Sequence, residues 1–122
     1  IPFLAKPTPV LSVLPPAEGV FVLENGQYTE MKLSLNAPQT DDGIPLTTQT
    51  QPQVVINNQV IRLERLQFVD EEGKPVAFTT VPAENGTAIL SPQEALDPGR
   101  YCLVFNLNVD RGEALYWCLQ VE

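Results

Sequence analysis

Chemistry in this chain would have to come from few side chains: two cysteines, Cys102 and Cys118, fifteen carboxylates, one methionine, and the tripeptide Asn85-Gly86-Thr87. Histidine is absent. That removes imidazole acid–base catalysis, Ser–His–Asp and Cys–His nucleophile systems, and every His-ligated metal site. Fifteen residues lie between the cysteines, not the two of a C-x-x-C redox pair, and no imidazole is present to lower a thiol pKa. Glycine-rich phosphate loops and dinucleotide fingerprints are also missing.

The carboxylates need a closer reading. Glycoside hydrolysis requires two carboxyl groups held roughly 5–9.5 Å apart across a cleft, one with its pKa raised by burial. Asp70, Glu71 and Glu72 instead precede Gly73 and Lys74 in what reads as a solvated turn. Hard oxygens in such a turn suit calcium, and Asp41-Asp42 offers two more, yet no spacing matches an EF-hand loop. Asn85-Gly86-Thr87 reads as a turn, and by letter it is also an N-glycosylation acceptor. Met31 falls on the apolar side of an alternating strand and reads as core. No catalytic residue, cofactor site or metal site is assigned.

Seven basic against fifteen acidic residues give a formal charge of −8. Such a field repels phosphate backbones and anionic lipid, which argues against a nucleic-acid partner. No apolar run approaches the ~20 residues of a membrane span. The chain opens Ile1-Pro2-Phe3-Leu4, which suits a mature secreted product or a fragment.

The elements that position these residues can be read from periodicity. In residues 99–121, Tyr101, Leu103, Phe105 and Leu107 alternate with Cys102, Val104, Asn106 and Asn108, and Leu115, Trp117, Leu119 and Val121 alternate with Tyr116, Cys118 and Gln120. This is a β-hairpin closed through Asp110, Arg111 and Gly112. If the turn centres on Asp110, opposed numbers sum to 220, so Cys102 faces Cys118 and Leu103 faces Trp117. Directly opposed Cβ atoms lie about 4.5–5.5 Å apart, which permits a Cys102–Cys118 disulfide, and Trp117 and Phe105 then fall at the core centre. A disulfide implies an oxidising compartment.

Elsewhere, prolines at 7, 9, 15 and 16 mark a stiff lead-in with a short edge strand near 10–14. Strands over 19–24 and 28–35 flank the hairpin signal Asn25-Gly26. Residues 36–52 form a long connection whose Thr47-Thr48-Gln49-Thr50-Gln51 strip reads as a binding loop or an exposed edge strand. Strands follow over 54–57, 59–63, 66–69 and 75–81. Ser91-Pro92-Gln93-Glu94 carries a helix N-cap, N1 proline and capping-box Glu.

The expected fold is all-β: an immunoglobulin-like (Greek-key) β-sandwich of about seven to nine short antiparallel strands, with one short helical turn near 92–96. Residues 1–9 are read as a proline-rich arm and 10–122 as a single domain. The run LDPGRYCLVFNLNVDRGEALYWCLQV, residues 96–121, resembles the closing strands of bacterial extracytoplasmic immunoglobulin-like modules, periplasmic copper carriers among them. The histidines and methionine cluster of those carriers have no counterpart here, so the resemblance carries over no ligand. The proposed disulfide would also join neighbouring strands of one sheet, whereas antibody-type domains bridge their two sheets.

The implied role is a non-enzymatic, extracytoplasmic (periplasmic or secreted) module for protein–protein interaction or structural assembly, its partner another protein or a neighbouring domain. Small-ligand or carbohydrate binding is the alternative, with calcium binding a third. Candidate contact residues are Tyr28, Thr47, Thr48, Gln49, Thr50 and Tyr116.

Overall fold

The computed structural model describes residues 14–36, 43–83, 86–108 and 110–122. The expected arm over 1–9, most of the strand near 10–14, the pair Asp41-Asp42, and Asn85 lie outside the described residues. Ten strands are found among the described residues: β1 Gly19–Glu24, β2 Gln27–Glu30, β3 Leu33–Ser34, β4 Leu46–Thr47, β5 Gln53–Asn57, β6 Leu66–Val69, β7 Phe78–Pro82, β8 Ala88–Pro92, β9 Gly99–Asn108 and β10 Glu113–Val121. They form two antiparallel sheets, ordered β2-β1-β5-β8-β7 and β3-β10-β9-β6, and β4 adds to β10 in parallel.

The sheets pack face to face in a β-sandwich-like arrangement. Val20, Val22, Val54, Ile56 and Leu90 from the first sheet meet Phe68, Leu103, Phe105, Trp117 and Leu119 from the second in one core. Burying each large apolar side chain contributes roughly 1.5–3 kcal/mol. The hairpin register is the expected one, with Cys102 opposite Cys118 and Leu103 opposite Trp117, and a bulge at Glu113/Ala114 near the tip absorbs the turn. At Asn25-Gly26 both residues take positive φ, 53° and 75°, as a two-residue hairpin turn requires.

Three expectations are corrected. The helical turn near 92–96 is absent: Ser91 and Pro92 belong to β8, where Pro92 pairs with Phe78. Gln93 N–H extends that ladder to the Ala77 carbonyl, and Leu96 N–H donates to the Thr50 carbonyl at 2.7 Å. Sheet pairing supplies partners that a one-turn helix would leave at its ends, so the local capping signal loses. The expected strand over 59–63 is a turn followed by a 3-10 helix, Leu63–Arg65. There Asn58 accepts the Val60 N–H through Oδ1, buried Ile61 closes the end of the core, and the chain crosses between sheets instead of folding back.

The expected single strand over 28–35 is split. Met31 still donates to the Val20 carbonyl and is buried in the core, but Leu33 and Ser34 pair with Trp117 and Tyr116 in the other sheet. Leu33 and Leu35, placed by alternation on a packed face, are 56% and 72% exposed.

The start of β9 is pinned from inside. The Tyr101 hydroxyl donates to the Asp97 carbonyl at 2.8 Å, and its ring stacks on Phe68 with centroids 5.8 Å apart. Burial, then the charges of Asp97, Asp70 and Glu71, raise the Tyr101 pKa above the usual phenol value. The folded state therefore holds this proton to higher pH than the unfolded chain does. The associated stability is complete below about pH 10 and is lost as pH rises through the raised folded value. Tyr101→Phe is expected to cost about 1 kcal/mol at neutral pH and to flatten the alkaline loss of stability in denaturant melts. A residual slope remains from Tyr28, whose pKa burial also raises.

Candidate functional site

The outer face of the β3-β10-β9-β6 sheet carries a second, smaller apolar cluster. Cys102, Val104 and Cys118 are buried there, with Ile44, Val69, Ala114 and Tyr116 packed against them. Why these cysteines can bond is visible in the ladder. Gln120 N–H points away from β9, to the Pro45 carbonyl at 2.8 Å. By the period of two, Cys118 and Cys102 form a non-hydrogen-bonded pair, the closer of the two pair types. The disulfide is formed, with Cα atoms 4.0 Å apart.

Beside the disulfide lies a groove of about 480 Å³. Val69, Cys102, Val104 and Tyr116 give it an apolar floor, and Asp70, Glu71 and Arg100 line its polar rim. Those rim carboxylates also hold local structure. Asp70 Oδ1 accepts the N–H groups of Glu72 and Lys74, both at 2.9 Å, around Gly73 at φ 81°. Glu71 Oε1 accepts the Arg100 N–H at 2.8 Å and so ties this turn to the start of β9. Among the described residues, no group of three or more His, Cys, Asp or Glu side chains is arranged to hold a metal ion.

Residues 47–51 prove to be a staple between sheets. Thr47 is 1% exposed and donates its hydroxyl to Glu24 Oε1 at 3.0 Å. Thr48 donates to the same oxygen through both N–H and Oγ1, and Gln49 N–H donates to Thr47 Oγ1. Thr50 gives its carbonyl to Leu96, and the Gln51 amide reaches the Pro92 and Gln93 carbonyls. Thr48 and Thr50 remain exposed and Gln49 half-buried. Tyr116 lies against the disulfide on one outer face. Tyr28 packs edge-on to Phe21 with centroids 5.7 Å apart, in the other sheet. The six candidate residues therefore do not form one site.

Two features of the sheet edges were not singled out from sequence. Leu33, Leu35 and Leu46 are 56%, 72% and 58% exposed, and β3 and β4, which carry Leu33 and Leu46, both lie against β10. The other is β7, an edge strand with the sequence FTTVP; its lack of charge and closing proline were the available signal. Comparison with family models, curated proteins and solved structures gave no match. No described helix is long and apolar enough to cross a membrane.

Replacing both Cys102 and Cys118 with Ala is expected to cost about 3 kcal/mol through loss of loop closure, lowering Tm by roughly 10 °C. Thermal melts of the oxidised and double-substituted proteins check this.

Proposed function

We propose that this chain is an immunoglobulin-like (Greek-key) module of an extracytoplasmic protein, working through protein–protein contact or structural assembly and not through catalysis. Strand order supports the fold reading. The path β1-β5-β8-β7 corresponds to the A-B-E-D sheet of the constant-type immunoglobulin arrangement, and β6-β9-β10 to C-F-G. The bond from Tyr101 to Asp97 matches the tyrosine corner at the start of strand F. One departure is consistent with the sequence. The inter-sheet cysteine of antibody domains stands two residues after that tyrosine, where this chain has buried Leu103; its cysteines bond on the outer face instead. The disulfide supports an oxidising compartment.

The observation that carries the contact role is the exposure of three leucines along the β10 edge, Leu33 and Leu35 at β3 and Leu46 in β4. Leu33 opposes inward-facing Trp117 and Leu46 opposes Gln120 on the outer face, so a partner would cover them by wrapping the β10 edge from both sides. Hydroxyl-radical footprinting of the protein in its source material and as the purified chain tests this. Leu33, Leu35 and Leu46 are expected to be labelled several-fold less in the source material. Equal labelling, together with hydrolase turnover that one carboxylate substitution abolishes in a folded protein, would overturn the reading.

The groove beside the disulfide favours a second reading, small-ligand or carbohydrate binding. In that case a saccharide or small-molecule panel shifts amide resonances at Val69, Val104 and Tyr116 together, and Tyr116→Ala weakens binding about tenfold or more.

A further inference from the structure

The four sheet edges are not equivalent. In the second sheet, β6 is covered by its own continuation, since Val76 N–H bonds the Phe68 carbonyl and Asp70 N–H the Lys74 carbonyl. The opposite edge is made of two-residue strands, β3 and β4. In the first sheet, β2 ends in Glu30. Only β7 is five residues long, free of charge, and without a strand neighbour on its far side among the described residues.

Which β7 groups face outward follows from its pairing with β8. Opposed numbers sum to 170, from Phe78 with Pro92 to Pro82 with Ala88. Gln93 N–H donates to the Ala77 carbonyl at 3.0 Å and Ala83 N–H to the Thr87 carbonyl at 2.8 Å, both with the same sum. Odd-numbered residues therefore turn their backbone groups toward β8. Phe78, Thr80 and Pro82 turn theirs away.

From this edge, and resting on the assembly reading above, we infer that β7 pairs antiparallel with β7 of a second copy of this chain about a two-fold axis at Thr80, making one continuous sheet. In that register the two Thr80 residues exchange two hydrogen bonds. Phe78 N–H of each copy donates to the Pro82 carbonyl of the other. Proline has no N–H to return, but the Phe78 carbonyl already accepts from the Gln93 side-chain amide at 3.4 Å. Each outward group thus has a partner.

Shifting the copies by two residues breaks the match. One shift sets the Thr80 carbonyl against Pro82, which lacks a donor; the other sets Pro82 against Val76, whose N–H is committed to Phe68. On the outer face Val81, 42% exposed, comes opposite Thr79 of the second copy, a pairing of two β-branched side chains. Two copies of formal charge −8 repel, and they can meet here because the strip itself is neutral.

The strip is well below the ~1,200 Å² of a standard interface, so the association is weak and strengthened by salt. Sedimentation from about 20 μM to 1 mM, at about 0.15 and 0.5 M salt, is expected to show a concentration-dependent dimer, more populated at high salt. Thr80→Pro removes only an outward N–H and leaves the β8 ladder intact. It is expected to raise the dimer dissociation constant about tenfold or more with the fold retained. Thr80→Cys places two thiols across the axis with Cα atoms about 5.5 Å apart, and mild oxidation is expected to trap an 80–80 disulfide dimer, whereas Glu30→Cys on the opposite edge is not.

A chain monomeric throughout, or a dimer that Thr80→Pro leaves unchanged and Thr80→Cys does not trap, overturns the self-pairing. If Thr80→Pro unfolds, the cross-link decides. Monomer behaviour with the leucines still protected in source material would sink this pairing alone and leave the assembly reading intact. Carboxylate-dependent turnover with equal leucine labelling would instead sink the assembly reading.

Discussion

Pairing of β9 with β10 sets the side-chain faces for half of the molecule. With Leu103 opposite Trp117 and Leu119 opposite Tyr101, these four side chains and Phe105 turn toward the first sheet, while Val104, Tyr116 and both sulfurs turn the other way. A slip of one residue in one arm would exchange its two faces, exposing Trp117 or separating the cysteines. The remaining strands of that sheet take their positions from this ladder: β6 on β9, and β3 and β4 end to end along β10. Because the disulfide joins a closely spaced pair on the outer face, it holds the register without occupying space in the core.

Among the described strands the chain passes from one sheet to the other five times, three of them between β2 and β3, β5 and β6, and β8 and β9. Each of these three buries an apolar side chain at the rim of the core: Met31, Ile61 and Leu96. Each also satisfies backbone groups that leave a ladder there, through Val20, Asn58 and Thr50. Glu24 does similar work across the sheets, accepting three bonds from Thr47 and Thr48. An unpaired buried amide or carbonyl costs about as much as a lost hydrogen bond. These polar contacts are therefore part of closing the sandwich, and carboxylates that looked free in the sequence are partly engaged in it.

What could be read from sequence follows the same division. The 99–121 hairpin was legible because a period of two, a turn and two cysteines all specify one register, and the Asn25-Gly26 turn because only positive-φ residues fit it. Where the chain changes sheets, the local signal misled. The alternation through 28–35 continues across Met31, but its hydrogen-bond partners do not, so Leu33 and Leu35 emerge on an edge. Ser91-Pro92-Gln93-Glu94 has the letters of a helix start, yet Phe78 and Ala77 offer a ladder that no local pattern encodes. The Thr/Gln strip looked like free recognition surface because Glu24, its acceptor, lies more than twenty residues away in sequence. Tyr101 belongs to the same 96–121 segment, but a tyrosine on an inward face gives no sign by itself that its hydroxyl turns back to Asp97.

Edges remain the least constrained part of such a fold, and here the closure of each has a different physical basis. On β2 a glutamate disfavours a neighbour, β6 is covered by the returning chain, and the β10 side is broken into two short strands. On β7 the only obstruction among the described residues is Pro82, which removes one donor and leaves its carbonyl available. A proline in the middle of the strand would have closed the edge, whereas one at its end only restricts which strand can pair and in which register. Together with a strongly negative chain that keeps copies apart at low salt, this makes β7 selective: it admits an uncharged antiparallel partner that tolerates a missing donor opposite its third outward position. The chain's own β7 meets those conditions because Gln93 stands beside Phe78, so the restriction that proline imposes and the side chain that answers it are encoded eleven residues apart, one at the end of β7 and the other just past β8.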